Sequence, residues 1–138
     1  MSMQTRLLAL CLSVAGQMRT RISASHPGVT KAWVCFGVGN IGTSNPQLQV
    51  KRSFQIASVT RTAKGRYRIS FAPALPTADY CWHAQVRDGL DRYGYAQQLQ
   101  VTARTTQDSK TTQVFDISCV AIDGSLQDAT EINVVIHH

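Results

Sequence analysis

Apolar side chains follow a helical spacing at the start of the chain and an alternating one later. In the first segment, four of them recur at intervals of four, three and four residues: Leu7, Cys11, Val14 and Met18. This is the spacing of a coiled-coil seam, and it predicts an α-helix over residues 4–21. A second seam fits nearly as well, so the register stays open: Leu7, Leu10, Val14 and Gln17.

The predicted helix is too short to cross a membrane. Its uncharged stretch, residues 7–16, has ten residues, whereas a membrane-spanning helix needs about 20. We therefore expect no membrane insertion. A cleaved secretory signal is a minor alternative, because Arg6 precedes the stretch and small residues end it. Helices of this length are marginal alone. We predict that this one joins copies of the chain, and packing against its own domain is the competing interpretation.

From Ala32 onward the apolar positions alternate with polar ones. In residues 66–71 the pattern has no break, and Tyr67, Ile69 and Phe71 face the side opposite to the two arginines and the serine. Three later runs alternate in the same way: Tyr80, Trp82, Ala84 and Val86; Phe115, Ile117, Cys119 and Ala121; and Ile132, Val134 and Ile136. The pattern predicts half-buried β-strands.

Turn residues separate these strands. The sequence Ala63-Lys64-Gly65 predicts a hairpin between residues 54–61 and 66–71, Pro73 and Pro76 interrupt the next connection, and Asp123-Gly124 opens the last. About seven or eight short strands result, which is typical of an antiparallel β-sandwich. We predict a mainly β protein with a helix at 1–24, a linker at 25–31 and a sandwich at 32–138.

The formal charge of +6 is unevenly distributed along the chain. Residues 1–78 hold ten Lys or Arg and no acid, while residues 79–138 hold four Lys or Arg and eight acids. The dense basic block over residues 51–68 suits nucleic acid, but aromatic side chains are not interleaved through 51–64 as a base-stacking surface requires, so we expect no nucleic-acid partner. Solvated strand faces, or electrostatic contacts between copies of the chain, are the other interpretations.

Candidate metal and catalytic residues are scattered. The four cysteines, Cys11, Cys35, Cys81 and Cys119, show no CxxC and no zinc-type pairing with histidine, and their spacing leaves open whether any form disulfides. The pair His137-His138 suits either a metal or a plain surface. We expect no metal and no cofactor.

Local catalytic motifs are also absent, with no GxSxG, HExxH or phosphate-binding glycine loop. His83 has the position of a surface or interface histidine. Asp88 and Asp91 lack the oxygen spacing of a calcium loop, so a solvated loop is the preferred interpretation. We predict that the protein is not an enzyme.

Three pieces of the chain carry a resemblance: KAWVCFGVG, SFQIASVTRTAKGRYRISFAPALPTADYCW and TTQVFDISCVAIDGSLQDATEINVVI. Together they resemble a domain that recurs in tailed-bacteriophage virion proteins, often at the tips of tail fibres. The resemblance implies a β-sandwich that assembles as a homotrimer on the virion with variable loops outward. Cys35 stands where this pattern has a polar residue. We expect the N-terminal helix, through Leu7, Cys11, Val14 and Met18, to replace the fibrous shaft that carries such tips.

The resemblance implies a structural virion protein, made in the host cytoplasm and exposed on the particle, that binds other virion proteins and a host surface glycan or protein. A capsid decoration protein, a head fibre or a fibre adaptor is the alternative, and a small glycan-cleaving tail spike is a remote one. Candidate receptor-binding residues lie in one polar, aromatic loop: Asp88, Asp91, Arg92, Tyr93 and Tyr95. The competing interpretation is an ordinary hairpin whose tyrosines pack on a neighbouring protomer.

Overall fold

The computed structural model describes residues 1–21, 26–91, 93–106 and 109–138. In this part of the chain, one helix and ten strands follow each other in the order α1 (Met3–Arg21), β1 (Thr30–Gly39), β2 (Gln47–Phe54), β3 (Ile56–Ala63), β4 (Arg66–Phe71), β5 (Cys81–Val86), β6 (Gly89–Leu90), β7 (Ala96–Gln97), β8 (Leu99–Ala103), β9 (Val114–Ala121) and β10 (Ile132–His137).

The predicted N-terminal helix is present. Ser2 caps it, since its Oγ accepts a hydrogen bond from the backbone N–H of Thr5 at 3.2 Å. The side chains of residues 1–18 are exposed, so within a single chain this helix does not pack back against the sandwich. No helix in the described residues has the length and apolarity to span a membrane. The predicted linker lies partly outside the described residues, because 22–25 are not among them.

Eight strands form two antiparallel sheets that pack as a sandwich, which confirms the predicted fold class. The first sheet has the order β2-β1-β10-β5 and the second β3-β4-β9-β8, while β6 and β7 pair only with each other. The two short strands account for the difference between ten strands and the seven or eight expected from the sequence.

Strand register gives the sandwich two distinct ends. In the first sheet Thr30 pairs with His137 and His137 with Cys81, so the start of β1 lies at one end, here called the base. Ile132 pairs with Val86 at the opposite end, here called the tip. Because α1 precedes β1, the helix joins the sandwich at its base. The chain leaves β5 at the tip and re-enters at β8, also at the tip.

The core contains the predicted inward faces of the strands. Tyr67, Ile69, Phe115, Ile117 and Cys119 are buried, and burial raises the pKa of the Cys119 thiol to about 11, so this cysteine behaves as a small hydrophobe. Aromatic contacts with centroids 5.0–5.8 Å apart link the sheets: Phe71–Tyr80 and Tyr80–Phe115 are edge-on, and Trp82–Phe115 is tilted.

One predicted strand spans a break between the sheets. The sequence placed Phe54 at the start of the strand that runs to Arg61, whereas the structure ends β2 at Phe54 and begins β3 at Ile56. Gln55 has φ of 58° and turns the chain from the first sheet to the second. Alternation continues through such a corner, and for this reason the pattern alone does not mark it.

Three ion pairs connect the basic first half of the chain to its acidic second half. Buried Asp116 and Asp128 pair with Arg68 and Arg61, each at 2.8 Å, and Glu131 pairs with Lys51 at 2.8 Å. The basic block is also divided, since residues 51–52 lie in the first sheet and 61–68 in the second. These contacts account for three of the ten basic residues in the first half of the chain.

Candidate functional site

A small hairpin projects from the tip of the sandwich and contains the predicted receptor-binding residues. It is here called the tip hairpin, residues 88–98, and it contains β6, β7, the residues between them and one residue on either side. Leu90 pairs with Ala96 and Gly89 with Gln97. Arg92 lies outside the described residues.

Asp91 shapes the turn of the tip hairpin. Its Oδ1 accepts hydrogen bonds from the backbone N–H groups of Tyr93 and Tyr95, both at 2.8 Å. The backbone N–H of Asp91 donates to the carbonyl of Tyr95 at 2.8 Å, and Gly94 supplies the residue with φ of 83°. A side-chain oxygen that binds successive amides in this way fixes an Asx-type turn. The sequence predicted Asp91 as a contact for a receptor, and in the structure it has a role in the architecture of the loop.

The root of the tip hairpin, where it joins β5 and β8, packs against the sandwich. The backbone N–H of Leu99 lies 3.5 Å from Oδ1 of Asp88, at the limit of a hydrogen bond. Leu99 is buried, and its Cδ1 lies so close to Gly89 that an added Cβ there would be 3.3 Å away. Asp88 therefore lies at the root of the hairpin, away from its turn.

Large side chains cover the outer part of the tip hairpin. Leu90, Tyr93 and Tyr95 are exposed by 73%, 67% and 72%. Each tyrosine ring offers an apolar face with a hydroxyl at its edge, a combination enriched at interaction surfaces. The turn thus presents two aromatic side chains and one aliphatic side chain to solvent on a hydrogen-bonded backbone.

A buried carboxylate also lies at the tip of the sandwich. Asp128, in the β9–β10 connection, accepts hydrogen bonds from Arg61, from the N–H of Gly65 at 2.9 Å and from the hydroxyl of Tyr67 at 2.8 Å. Burial raises the pKa of Asp128, but these hydrogen bonds outweigh that effect and hold it below its ordinary value. The network ties the β3–β4 turn to the β9–β10 connection.

The predicted oligomerisation residues share one face of α1. Leu7, Val14 and Met18 are exposed by 60%, 48% and 58%, and Cys11 is also exposed. None of the four cysteines forms a disulfide. Further exposed leucines widen the apolar surface beyond a single stripe: Leu8, Leu10 and Leu12.

The outer face of the first sheet carries an apolar row that sequence reasoning missed. Register places Phe54, Trp33, Val135 and His83 side by side across its four strands. In the second sheet the corresponding outer face is polar, with Thr60, Arg68 and Asp116 in one row. One signal in the sequence could have indicated this row. Trp33 is a large apolar residue at an outward position of β1, between the inward-facing Ala32 and Val34.

A cavity of about 600 Å³ lies at the base. Phe54, Pro73, Leu75 and Pro76 form part of its apolar wall, and His138 also lines it. Because the strands separate base from tip by roughly 20 Å or more, this cavity and the tip hairpin are independent features.

No protein-family model, no curated protein and no solved structure matches the chain.

Proposed function

We propose that the protein is a non-enzymatic bacteriophage virion protein that forms homotrimers through α1 and attaches to a host surface through the tip hairpin. The observation that carries the proposal is the placement of the two candidate surfaces. The helix joins the base, and the exposed tyrosines lie at the tip. A protein anchored at one end and binding at the other requires this polarity.

Trimerisation is supported by the exposed apolar face of α1. A 19-residue helix that buries none of its leucines has little to stabilise it in water, because most helix stability in proteins comes from packing an apolar face. Three copies packed along the seam of Leu7, Cys11, Val14 and Met18 would bury that face. The helices would then run parallel, and the three tips would point in one direction.

Host attachment is supported by the chemistry of the tip hairpin. Tyr93 and Tyr95 are exposed on a backbone that Asp91 holds by two hydrogen bonds. A loop ordered before binding loses less conformational entropy when it binds. Exposed aromatic rings suit the apolar faces of sugars as well as protein surfaces.

A capsid decoration protein is the second candidate, and the first sheet favours it. The row Phe54, Trp33, Val135 and His83 is a flat surface with a strong apolar component, as expected for a subunit that lies against other virion proteins. In that case the outer face of the first sheet, and not the tip hairpin, would make the functional contact.

Binding of fluorescently labelled protein to a panel of bacterial strains, and in parallel to purified phage capsids, separates the two candidates. The attachment proposal predicts saturable binding to at least one strain and none to capsid surfaces. Saturable binding to capsids together with no binding to any strain would reject attachment in favour of decoration.

A further inference from the structure

Three side chains with metal-binding chemistry share one face of two neighbouring strands. Cys81 and His83 are two residues apart on β5 and therefore project from the same side of the sheet. His137, on β10, is the cross-strand partner of Cys81, and Val135 is the partner of His83. All three residues lie on the outer face of the first sheet, towards its base.

The two histidine rings are already close. Their centroids are 5.8 Å apart and their planes are inclined by 74°. Two imidazoles that bind one Zn²⁺ at about 2.0–2.1 Å with tetrahedral geometry place their ring centroids roughly 5 Å apart. The observed separation is thus within about 1 Å of that needed for both rings to bind the same ion.

Cys81 supplies the third donor. It is exposed and free of any disulfide, and side chains directly opposite each other on antiparallel strands have Cβ atoms about 4.5–5.5 Å apart. In the described residues, no group of three or more His, Cys, Asp or Glu side chains is placed so that it could hold a metal ion. The site therefore requires rotation of the side chains of Cys81, His83 and His137, and Cys81 and His83 lie on an edge strand of the sheet.

We propose that Cys81, His83 and His137 bind one Zn²⁺ per chain, with the fourth position open to water. Thiolate and imidazole are the donors that zinc prefers, and three protein ligands with one open position is a recurrent zinc arrangement. Binding displaces the thiol proton of Cys81 to solvent, since the thiolate is the ligand. The spacing rules applied to the sequence missed this site because the third ligand is 54 positions from His83 in the chain.

Titration of the full-length reduced protein with Co²⁺, followed by displacement with Zn²⁺, tests the proposal. Co²⁺ reports its ligands by absorption, with sulfur-to-cobalt charge transfer in the near ultraviolet and intense visible bands for tetrahedral geometry. We expect one equivalent of Co²⁺ to produce both features and one equivalent of Zn²⁺ to abolish them.

Conservative variants identify the ligands. Cys81→Ser should remove the sulfur band, and His83→Gln or His137→Gln should weaken binding at least tenfold. His138→Gln is the matched control, because His138 alternates to the other side and its Nε2 lies 2.8 Å from Oγ1 of Thr77. Cys35→Ser is the control for an outward-facing cysteine on another strand. Both controls should bind as the parent does.

Any of three spectroscopic results would overturn the proposal: no stoichiometric Co²⁺ spectrum, a spectrum without the sulfur band, or a sulfur band that survives Cys81→Ser. Loss of binding in His138→Gln with retention in His83→Gln would assign the metal to the adjacent pair His137-His138 and would also overturn it. Circular dichroism of each variant checks that the sandwich is intact.

Discussion

At the scale of single residues, Asp128 is a buried carboxylate with partners on β3, on β4 and in the turn between them. Its side chain is almost fully buried and accepts hydrogen bonds from a guanidinium, a backbone amide and a phenol. No buried side-chain nitrogen or oxygen in the described residues lacks a partner. Removal of this carboxylate would leave the buried donors around it without a hydrogen-bond acceptor.

The first prediction is that Asp128→Ala destabilises the sandwich by about 3–5 kcal/mol, the cost of breaking a buried ion pair from one side. The midpoint of urea unfolding measures it. Glu131→Gln is the matched control: it also removes a charge paired with a basic residue, but at an exposed site where ion pairs contribute little. Equal midpoints for the two variants would show that the Asp128 network is not stabilising.

The second prediction concerns acid. The pKa of Asp128 is lower in the folded protein than its ordinary value of 3.8, so its contribution to stability is fully present above pH 3.8 and is lost as the pH falls through the folded pKa. As the pH is lowered below 4, the urea midpoint of the parent should therefore decrease more steeply than that of Asp128→Asn. Parallel pH profiles would contradict the assigned role.

Gly65 gives the third prediction. It has φ of 65°, and an added Cβ would lie 2.7 Å from the backbone nitrogen of Gln127 and 2.8 Å from the carbonyl oxygen of Cys119. Gly42 has φ of 83° with open space around it. Gly42→Ala should cost roughly 1–2 kcal/mol from backbone strain alone, and Gly65→Ala should cost clearly more. Equal unfolding midpoints would mean that the β9–β10 connection yields to the added methyl group.

At the scale of elements, the helix and the strands differ in how fully the sequence specifies them. Residues 66–71 have the alternation, the burial and the partners that their pattern predicts, because a strand between two neighbours must place every second side chain in the core. The helix bounds were also predictable, starting at Met3 where Gln4 was expected. The face through which the helix would pack could not be predicted, since two seams fit the same sequence.

The fourth prediction tests that helix. Val14→Asp places a charge in both candidate seams, where burial without a partner costs several kcal/mol, so the variant should sediment as a monomer while the parent sediments as three copies of the 15.2 kDa chain. Ala9→Asp adds the same charge on the opposite side of the helix and should leave the trimer intact. A parent that sediments as a monomer would refute the assembly role of the helix.

At the scale of the whole molecule, the sequence predicted the components better than their juxtaposition. Two-residue alternation was sufficient for a sandwich, and turn residues located most connections. It did not show that Gln55 moves the chain between sheets, that Trp33, Phe54 and Val135 share a row, or that Cys81 faces His137. These features depend on pairings between distant segments, which local spacing does not encode.

For the tip hairpin too, the sequence predicted the kind of loop but not its geometry. Composition correctly identified a polar and aromatic loop, and the structure places Tyr93 and Tyr95 on its surface. Composition did not show that Asp91 shapes the turn, because its hydrogen bonds to two backbone amides depend on the folded geometry of the loop. Its location at the end opposite the helix follows only from strand order.

Binding of labelled variants to a susceptible strain tests whether the tip hairpin makes the proposed host contact. The double variant Tyr93→Ala/Tyr95→Ala removes both exposed rings of the hairpin, while Phe54→Ala removes an exposed ring at the base. Both variants should keep the circular dichroism and the trimer mass of the parent. We expect the tyrosine variant to lose binding at least tenfold and Phe54→Ala to bind as the parent does. Undiminished binding by the tyrosine variant would contradict the proposed host contact.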